Sequence, residues 1–259
     1  MMATRLPTVD SSQITTNSCS GTLVESTKVR ASRERKRLPK WFKTSLPIGK
    51  SQSVYNSTMA SVKDNDLNTV CVEARCPNIH DCWGRGTATF MIAGDVCTRG
   101  CRFCAVNTAK TPPPLNPDEP EDLATAIESM GINHAVITVV NRDDLPDGGA
   151  SHYRKCIMAV HDRCPDVGIE LLCSDLDGNL ESLKILLNGL PIRVFAHNVE
   201  CVPRLDKIVR DRRASFAQSL EILSEAKNLR PDLKTKTSIM VGIGETDSEV
   251  IEAMGMIRS

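Results

Sequence analysis

Six of the eleven cysteines fall within 34 residues, in two triplets. The segment CVEARCPNIHDC places Cys71, Cys76 and Cys82 at C-x4-C-x5-C, and DVCTRGCRFC places Cys97, Cys101 and Cys104 at C-x3-C-x2-C. Three chemistries gather thiols so closely. Disulfides need an oxidising compartment, and no continuous apolar stretch of a secretory signal precedes them. Structural zinc wants four closed ligands, usually as C-x2-4-C pairs set well apart, and neither triplet makes such a pair. Iron–sulfur ligation by thiolates fits short-spaced triplets best. A cube held by three cysteines leaves one iron without a protein thiolate, the open position that an exchangeable ligand or substrate requires. Iron–sulfur ligation is therefore the first reading and zinc the alternative. The other five, Cys19, Cys156, Cys164, Cys173 and Cys201, lack triplet spacing, and those in the core are expected to be buried free thiols.

Such ligands need elements to hold them. Apolar, β-rich runs at 87–94, 134–141, 168–175, 193–200 and 236–244 alternate with helical patterns. In PEDLATAIESMG, Leu123, Ile127 and Met130 share one face and Gly131 supplies the stop. SHYRKCIMAVHDRC, ESLKILLNG and SFAQSLEILSEAKNL behave alike. Strand–helix alternation repeated five times predicts an α/β fold with a parallel sheet, a (β/α) barrel or part of one. Its functional residues belong on the loops after the strands, and Cys97, Cys101 and Cys104 directly follow the first. His197, Asn198 and Glu200 end the fourth run and face the same side. Asp143, Asp144 and Asp147 follow the second, either to position a ligand or to form turns. Gly242 and Gly244 end the fifth, and His80 and His152 have no spacing that suggests a metal.

Composition bounds the rest. The 259 residues are 41% hydrophobic and 25% charged, an ordinary globular balance. No run of 18 apolar residues exists, so no membrane helix is expected. Equal counts of 32 basic and 32 acidic residues hide an asymmetry, because residues 1–50 carry ten Lys/Arg against three Asp/Glu. The basic run RASRERKRLPK has no interleaved aromatics, so it is read as a solvated arm, with no nucleic acid as partner. Residues 1–37 are expected to form a disordered leader, either a plain extension or a Ser/Thr-rich transit peptide. Residues 38–86 would form an N-terminal segment carrying the upstream triplet, and 87–259 the barrel.

The C-x3-C-x2-C motif after a first barrel strand resembles the radical S-adenosylmethionine enzymes. Joined to the upstream triplet in VCVEARCPNIHDCWGRGTATFMIAGDVCTRGCRFCAV, it resembles the lipoyl synthase family, as do NRDDLPDGGASHY, VFAHNVECVPRL and KTSIMVGIGET in the same order. The resemblance runs from about Leu38 to the C-terminus. It implies that Cys97, Cys101 and Cys104 hold a 4Fe–4S cluster that binds S-adenosylmethionine. It also implies that Cys71, Cys76 and Cys82 hold an auxiliary 4Fe–4S cluster that donates sulfur. Gly242, Gly244 and Glu245 resemble the segment lining the S-adenosylmethionine pocket, to which the strand-end position adds Asn198 and Glu200. The implied reaction inserts two sulfurs into a protein-bound octanoyl group.

Partners follow from the same resemblance. They would be octanoylated carrier domains of 2-oxoacid dehydrogenase complexes, the glycine cleavage H protein and a reductant such as ferredoxin or flavodoxin, with no membrane involved. The compartment would be the cytoplasm, or a mitochondrial or plastid matrix if the leader is a transit peptide. Two departures stand out. Val139-Val140-Asn141 replaces the family's usual Ser-Val-Asp run, and the chain stops one β/α unit short of a six-strand barrel, without the family's Arg-Ser-Ser motif. Such a chain is expected to hold the first cluster better than the second and to turn over poorly. The alternatives are a biotin-synthase-like sulfurtransferase and a non-catalytic iron–sulfur paralogue.

Overall fold

The computed structural model describes residues 48–64, 69–73 and 76–258. The leader, the basic run and Cys19 lie outside the described residues. Three helices, α1 (Lys50–Asp64), α2 (Val70–Glu73) and α3 (Ile79–Gly84), lead into β1 (Thr87–Ile92). A small parallel ladder of β2 (Val96–Cys97) and β3 (Asn107–Thr108) follows. The alternation then runs α4 (Glu119–Met130), β4 (His134–Val139), α5 (Ala150–Arg163), β5 (Gly168–Leu172), α6 (Leu180–Leu187), β6 (Val194–Ala196), α7 (Asp206–Val209), α8 (Phe216–Leu229), β7 (Lys234–Lys236) and α9 (Asp247–Arg258). The five long-range strands pair in the order β1-β4-β5-β6-β7, every neighbour parallel. Parallel neighbours in sequence order are the expected α/β arrangement.

The two faces of the sheet have different work. In β1, Ala88, Phe90 and Ile92 are buried while Thr87, Thr89 and Met91 are half-buried. The buried set joins Ala135, Ile137, Ile169, Leu171 and Phe195 against Ile127 of α4, Ile157 of α5 and Leu183 of α6. The other set looks inward, and register aligns it. Met91 pairs with Thr138, and Thr138 with Leu172, so one row of side chains crosses the sheet near the strand ends. The predicted helix over 120–131 holds, with Leu123, Ile127 and Met130 buried. Gly131 stops it at φ 58°, ψ 36°, a conformation that glycine adopts without steric cost.

Two elements differ from expectation. The fifth strand begins at Lys234 and ends at Lys236, so most of the apolar run 236–244 lies beyond it. The reason sits on its neighbour. β6 stops at Ala196 and Glu200 turns left-handed at φ 66°, leaving one isolated bridge between Glu200 and Ile239. Val241 and Ile243 are left 65% and 43% exposed. Alternating apolar residues without a partner strand to fix them do not make a ladder. Helix α1, which the sequence reading did not propose, packs Tyr55, Thr58, Met59 and Val62 inward at i, i+3, i+4, i+7 spacing.

Between β4 and α5 the chain turns through Gly148 and Gly149, both left-handed. A Cβ on Gly149 would meet the Tyr153 ring at 2.7 Å, and Tyr153 is fully buried with its hydroxyl donating to the carbonyls of Val140 and Gly148. Gly149→Ala should therefore cost about 1–3 kcal/mol in backbone strain alone, with the clash on top. Chemical denaturation checks this, and an unchanged midpoint would show that the turn relaxes freely.

Candidate iron–sulfur and cofactor site

The cysteine loop leaves β1 and is held at several points. β2 pairs with β3, which fixes Cys97. The Thr98 N–H donates to the Asn141 carbonyl at 3.0 Å, tying the loop to the end of β4. Farther along, the Arg102 N–H donates to the Val209 carbonyl (2.9 Å) and the Gly100 N–H to Asp211 Oδ2 (3.0 Å). The loop thus spans from the first strand to the segment after the fourth long strand.

At its centre lies Arg99, between the first two cysteines and 3% exposed. Its Nη1 donates to Asp175 Oδ2 at 2.7 Å and its Nη2 to Asp143 Oδ1 at 2.8 Å. A third carboxylate, on Asp177, accepts at 3.2 Å. Asp175 is itself buried and also accepts from Gln218 Nε2 (2.9 Å) and the Asp177 N–H (3.0 Å). Burial disfavours the guanidinium's charge, but the hydrogen bonds to Asp143 and Asp175 outweigh it and its pKa is raised. Asp143 shows the mirror case. Burial opposes its ionisation, while bonds from Arg99 and Thr98 win and hold its carboxyl below the usual range.

Cys97, Cys101 and Cys104 all line a cavity of about 300 Å³ at the carboxyl ends of the strands. Its apolar wall includes Met91, Phe103, Val106, Val139 and Leu172, and its polar wall includes Asn141, Asn198, Glu200 and Arg210. The Arg99 N–H points to Cys97 Sγ at 3.4 Å and the Asp211 N–H to Cys101 Sγ at 3.3 Å. Such donors are among the levers that set the potential of a thiolate-bound cluster. One zinc ion would hold its sulfurs about 3.8 Å apart at 2.3 Å bond lengths. Among the described residues, neither triplet gathers three donors within 4.8 Å. A cube asks for no such closeness, because each thiolate takes a different iron.

Cys71, Cys76 and Cys82 do not themselves line this cavity. Val70, the residue before Cys71, is part of the lining. Cys71 is buried on α2, and the Cys76 N–H returns to its carbonyl at 3.1 Å. The pKa of Cys82, on α3, is raised, by burial first and by the neighbouring Cys71 and Cys76 among smaller causes. Asn198 and Glu200 reach the cavity, and burial pushes the Glu200 carboxyl up. Gly242, Gly244 and Glu245 do not line it. They form an exposed turn in which the Gly242 and Ile243 N–H groups donate to the Glu245 carboxylate.

Other residues resolve into structural parts. His197 is buried and pinned between the Cys173 carbonyl and Ser219 Oγ, both at 2.9 Å, and burial lowers its pKa. Asp144 pairs with Arg142, and Asp147 caps the turn by accepting from the Gly149 and Ser151 N–H groups. Of the three loop carboxylates, Asp143 alone serves the cysteine loop. His80 stacks against Tyr55 with centroids 4.7 Å apart. Cys156, Cys173 and Cys201 are buried free thiols, and burial pushes Cys173 up to about 12. Sequence reading assigned no role to Arg99, Asp175 or Arg210. The visible signal was a basic residue inside the cysteine motif, a charge that needs carboxylates if buried.

The Radical SAM superfamily model matches residues 91–257. A second model, for the N-terminal domain of lipoyl synthase of the Radical SAM family, matches residues 10–76. The chain belongs to the radical SAM superfamily, which implies a 4Fe–4S cluster and S-adenosylmethionine. Among its relatives, mitochondrial lipoyl synthase of Bos taurus is 50% identical over 231 residues, covering 87% of this chain and 61% of the relative. That of Homo sapiens is 49% identical over 231 residues, with the same coverage of each. The chain thus spans about three-fifths of the length of the curated relatives it matches. These relatives are named mitochondrial, which leaves the cytoplasmic expectation without support. Methylornithine synthase shares the fold, at 13% identity and a TM-score of 0.50 over 81% of this chain and 57% of that one.

The Arg99 cluster generates a stability prediction. Arg99→Met removes the cation from between buried Asp175 and half-buried Asp143 and should cost about 3–5 kcal/mol. Arg99→Lys keeps the charge but not the forked geometry, and should fall between the two. Thermal or chemical denaturation of the unloaded chains gives the ranking, and equal stability of all three would refute it.

Proposed function

We propose that the chain is the cluster-binding part of a lipoyl synthase, which inserts two sulfur atoms at C6 and C8 of a protein-bound octanoyl group. One observation carries the reading: a single cavity lined both by Cys97, Cys101 and Cys104 and by Val70 beside Cys71. On this reading Val70 brings the upstream triplet next to the reaction volume that the first triplet lines. The relatives' names support the choice of reaction over other radical chemistry.

The substrate's chemistry explains why acid–base groups alone would not suffice. Aliphatic C–H bonds are not acidic, so no general base of tuned pKa opens them, and the reactive power must come from a cofactor. Bound at the two triplets, 4Fe–4S clusters would supply an electron for cleaving S-adenosylmethionine and sulfide for insertion. The protein's own part is placement. Met91, Phe103, Val106, Val139 and Leu172 give an acyl chain an apolar wall that excludes water. Asn141, Asn198, Glu200 and Arg210 give a polar coenzyme its hydrogen-bonding wall. Arg99 and its carboxylates keep the cysteine loop in one shape while the ligands change.

The exposed turn at Gly242, Gly244 and Glu245 would join the coenzyme site by closing over it. Residues 38–86 would carry the auxiliary cluster and 87–259 the catalytic barrel, behind a leader over 1–37. The partners are octanoylated carrier domains of 2-oxoacid dehydrogenases or the glycine cleavage H protein, with a ferredoxin- or flavodoxin-type reductant. The names of the relatives support a mitochondrial location.

Anaerobic reconstitution should load about two clusters per full-length chain. Cys97→Ala and Cys82→Ala should each remove about one, as read by iron, sulfide and the visible spectrum. Mass spectrometry of an octanoylated carrier should then show two added sulfurs. A methylated or desaturated product, or iron uptake indifferent to both substitutions, would sink the proposal.

A further inference from the structure

Between β1 and the cysteine loop the chain passes through two successive left-handed residues, Ala93 (φ 69°) and Gly94 (φ 87°). Ala93 is buried. A non-glycine residue in this conformation is strained and persists only where its surroundings over-determine it. Here they do. The Ala93 N–H donates to Glu119 Oε2 at 2.9 Å and the Gly94 N–H to Oε1 at 3.3 Å. Consecutive amides of this kind make an anion-binding nest, and the anion is the first residue of α4. The Ala93 carbonyl accepts from Arg142 Nη1 at 3.3 Å. Behind the carboxylate stands His152 of α5, whose Nε2 hydrogen-bonds Glu119 Oε2.

Cys156 Sγ lies 3.6 Å from the same Nε2, so Glu119, His152 and Cys156 bring three metal-type donors within 4.8 Å. Their other engagements argue against an ion. Both Glu119 oxygens already accept amides. The Cys156 thiol is pushed up to about 12, by burial first and by Glu119's charge second, so it keeps its proton. Burial also opposes ionisation of Glu119, but the bonds from His152, Ala93 and Gly94 prevail and lower its pKa. The carboxylate is thus charged and fully committed.

We propose that His152 and Glu119 form a positioning pair, in which His152 orients the Glu119 carboxylate and that carboxylate clamps the Ala93–Gly94 turn three residues ahead of Cys97. The pair sets where the first cluster's ligand loop begins, from outside the cavity and without touching it. The proposal rests on the reading of Cys97, Cys101 and Cys104 as cluster ligands. His152→Gln preserves a donor at this reach, whereas His152→Leu and Glu119→Ala remove one half of the clamp each.

The test uses the full chain, loaded anaerobically and reduced. Two quantities are read: iron loss to a chelator, and the fraction of the electron paramagnetic resonance signal that S-adenosylmethionine perturbs. That perturbation reports the first cluster alone. His152→Leu and Glu119→Ala should release the perturbable cluster roughly tenfold faster, the scale on which partners behind metal ligands act, and should shrink its perturbable fraction. His152→Gln should restore both. Should the first two not fold by circular dichroism, Glu119→Asp, which keeps the charge but withdraws it from the amides, replaces them with the same expectation. Variants that melt earlier yet match the parent in chelation and spectrum would make the pair mere packing and overturn the proposal. A parent that takes up no iron overturns the cluster reading, and this inference with it.

Discussion

A guanidinium buried beside three carboxylates is the constraint on which this site depends. Taking Arg99 out of water is costly, and chiefly the Asp143 and Asp175 contacts, 44 and 76 residues away in sequence, offset that cost. Those contacts form only when β1, β4 and β5 stand side by side with their carboxyl ends level. The ion cluster and the sheet therefore require one another. A misregistered sheet would leave a buried charge unpaired, which penalises wrong arrangements more strongly than apolar packing does. The cysteines inherit their placement from that requirement, because Arg99 sits between Cys97 and Cys101.

The remaining supports divide the loop among neighbours. The Asn141 carbonyl takes the Thr98 amide and hydroxyl, and Val209 and Asp211 take amides of its middle. Arg213 bridges back to Asp143 at 3.1 Å and to the Thr98 carbonyl at 2.6 Å. The loop is made stiff by polar bonds to several different strand ends. This suits ligands that must keep their spacing, since side-chain packing alone would let so exposed a residue as Cys104 drift.

Much of this was legible in the sequence. The two triplets stand in plain text, and the apolar runs at 87–94, 134–141 and 168–175 become strands because helices bury one face of each. Asn198 and Glu200 were reachable from their place at a strand end. What stayed hidden was what depends on distance in sequence. Nothing local links Arg99 to Asp175, or Glu119 to His152 across 33 residues. The fifth strand was misplaced because Ile239, Val241 and Ile243 alternate as a strand does, while the pairing partner had already turned away at Glu200. Gly242 and Gly244 read as a cofactor segment by resemblance, and in the described structure their turn closes on Glu245.

The row formed by Met91, Thr138 and Leu172 has a further meaning for how such a site could change over time. Each of the three belongs to a different strand, yet they act as one wall only because the strands are aligned residue for residue. Inserting or deleting one residue within β1 would exchange Met91 for Phe90 or Ile92 in that wall, and at once turn core side chains toward the cavity. The same edit among residues 109–117, outside any helix or strand, would alter little but the length of a connection. The strands are therefore closed to length variation and open only to substitution. New chemistry in this scaffold has to arrive one side chain at a time along the row, or through the loops that follow it.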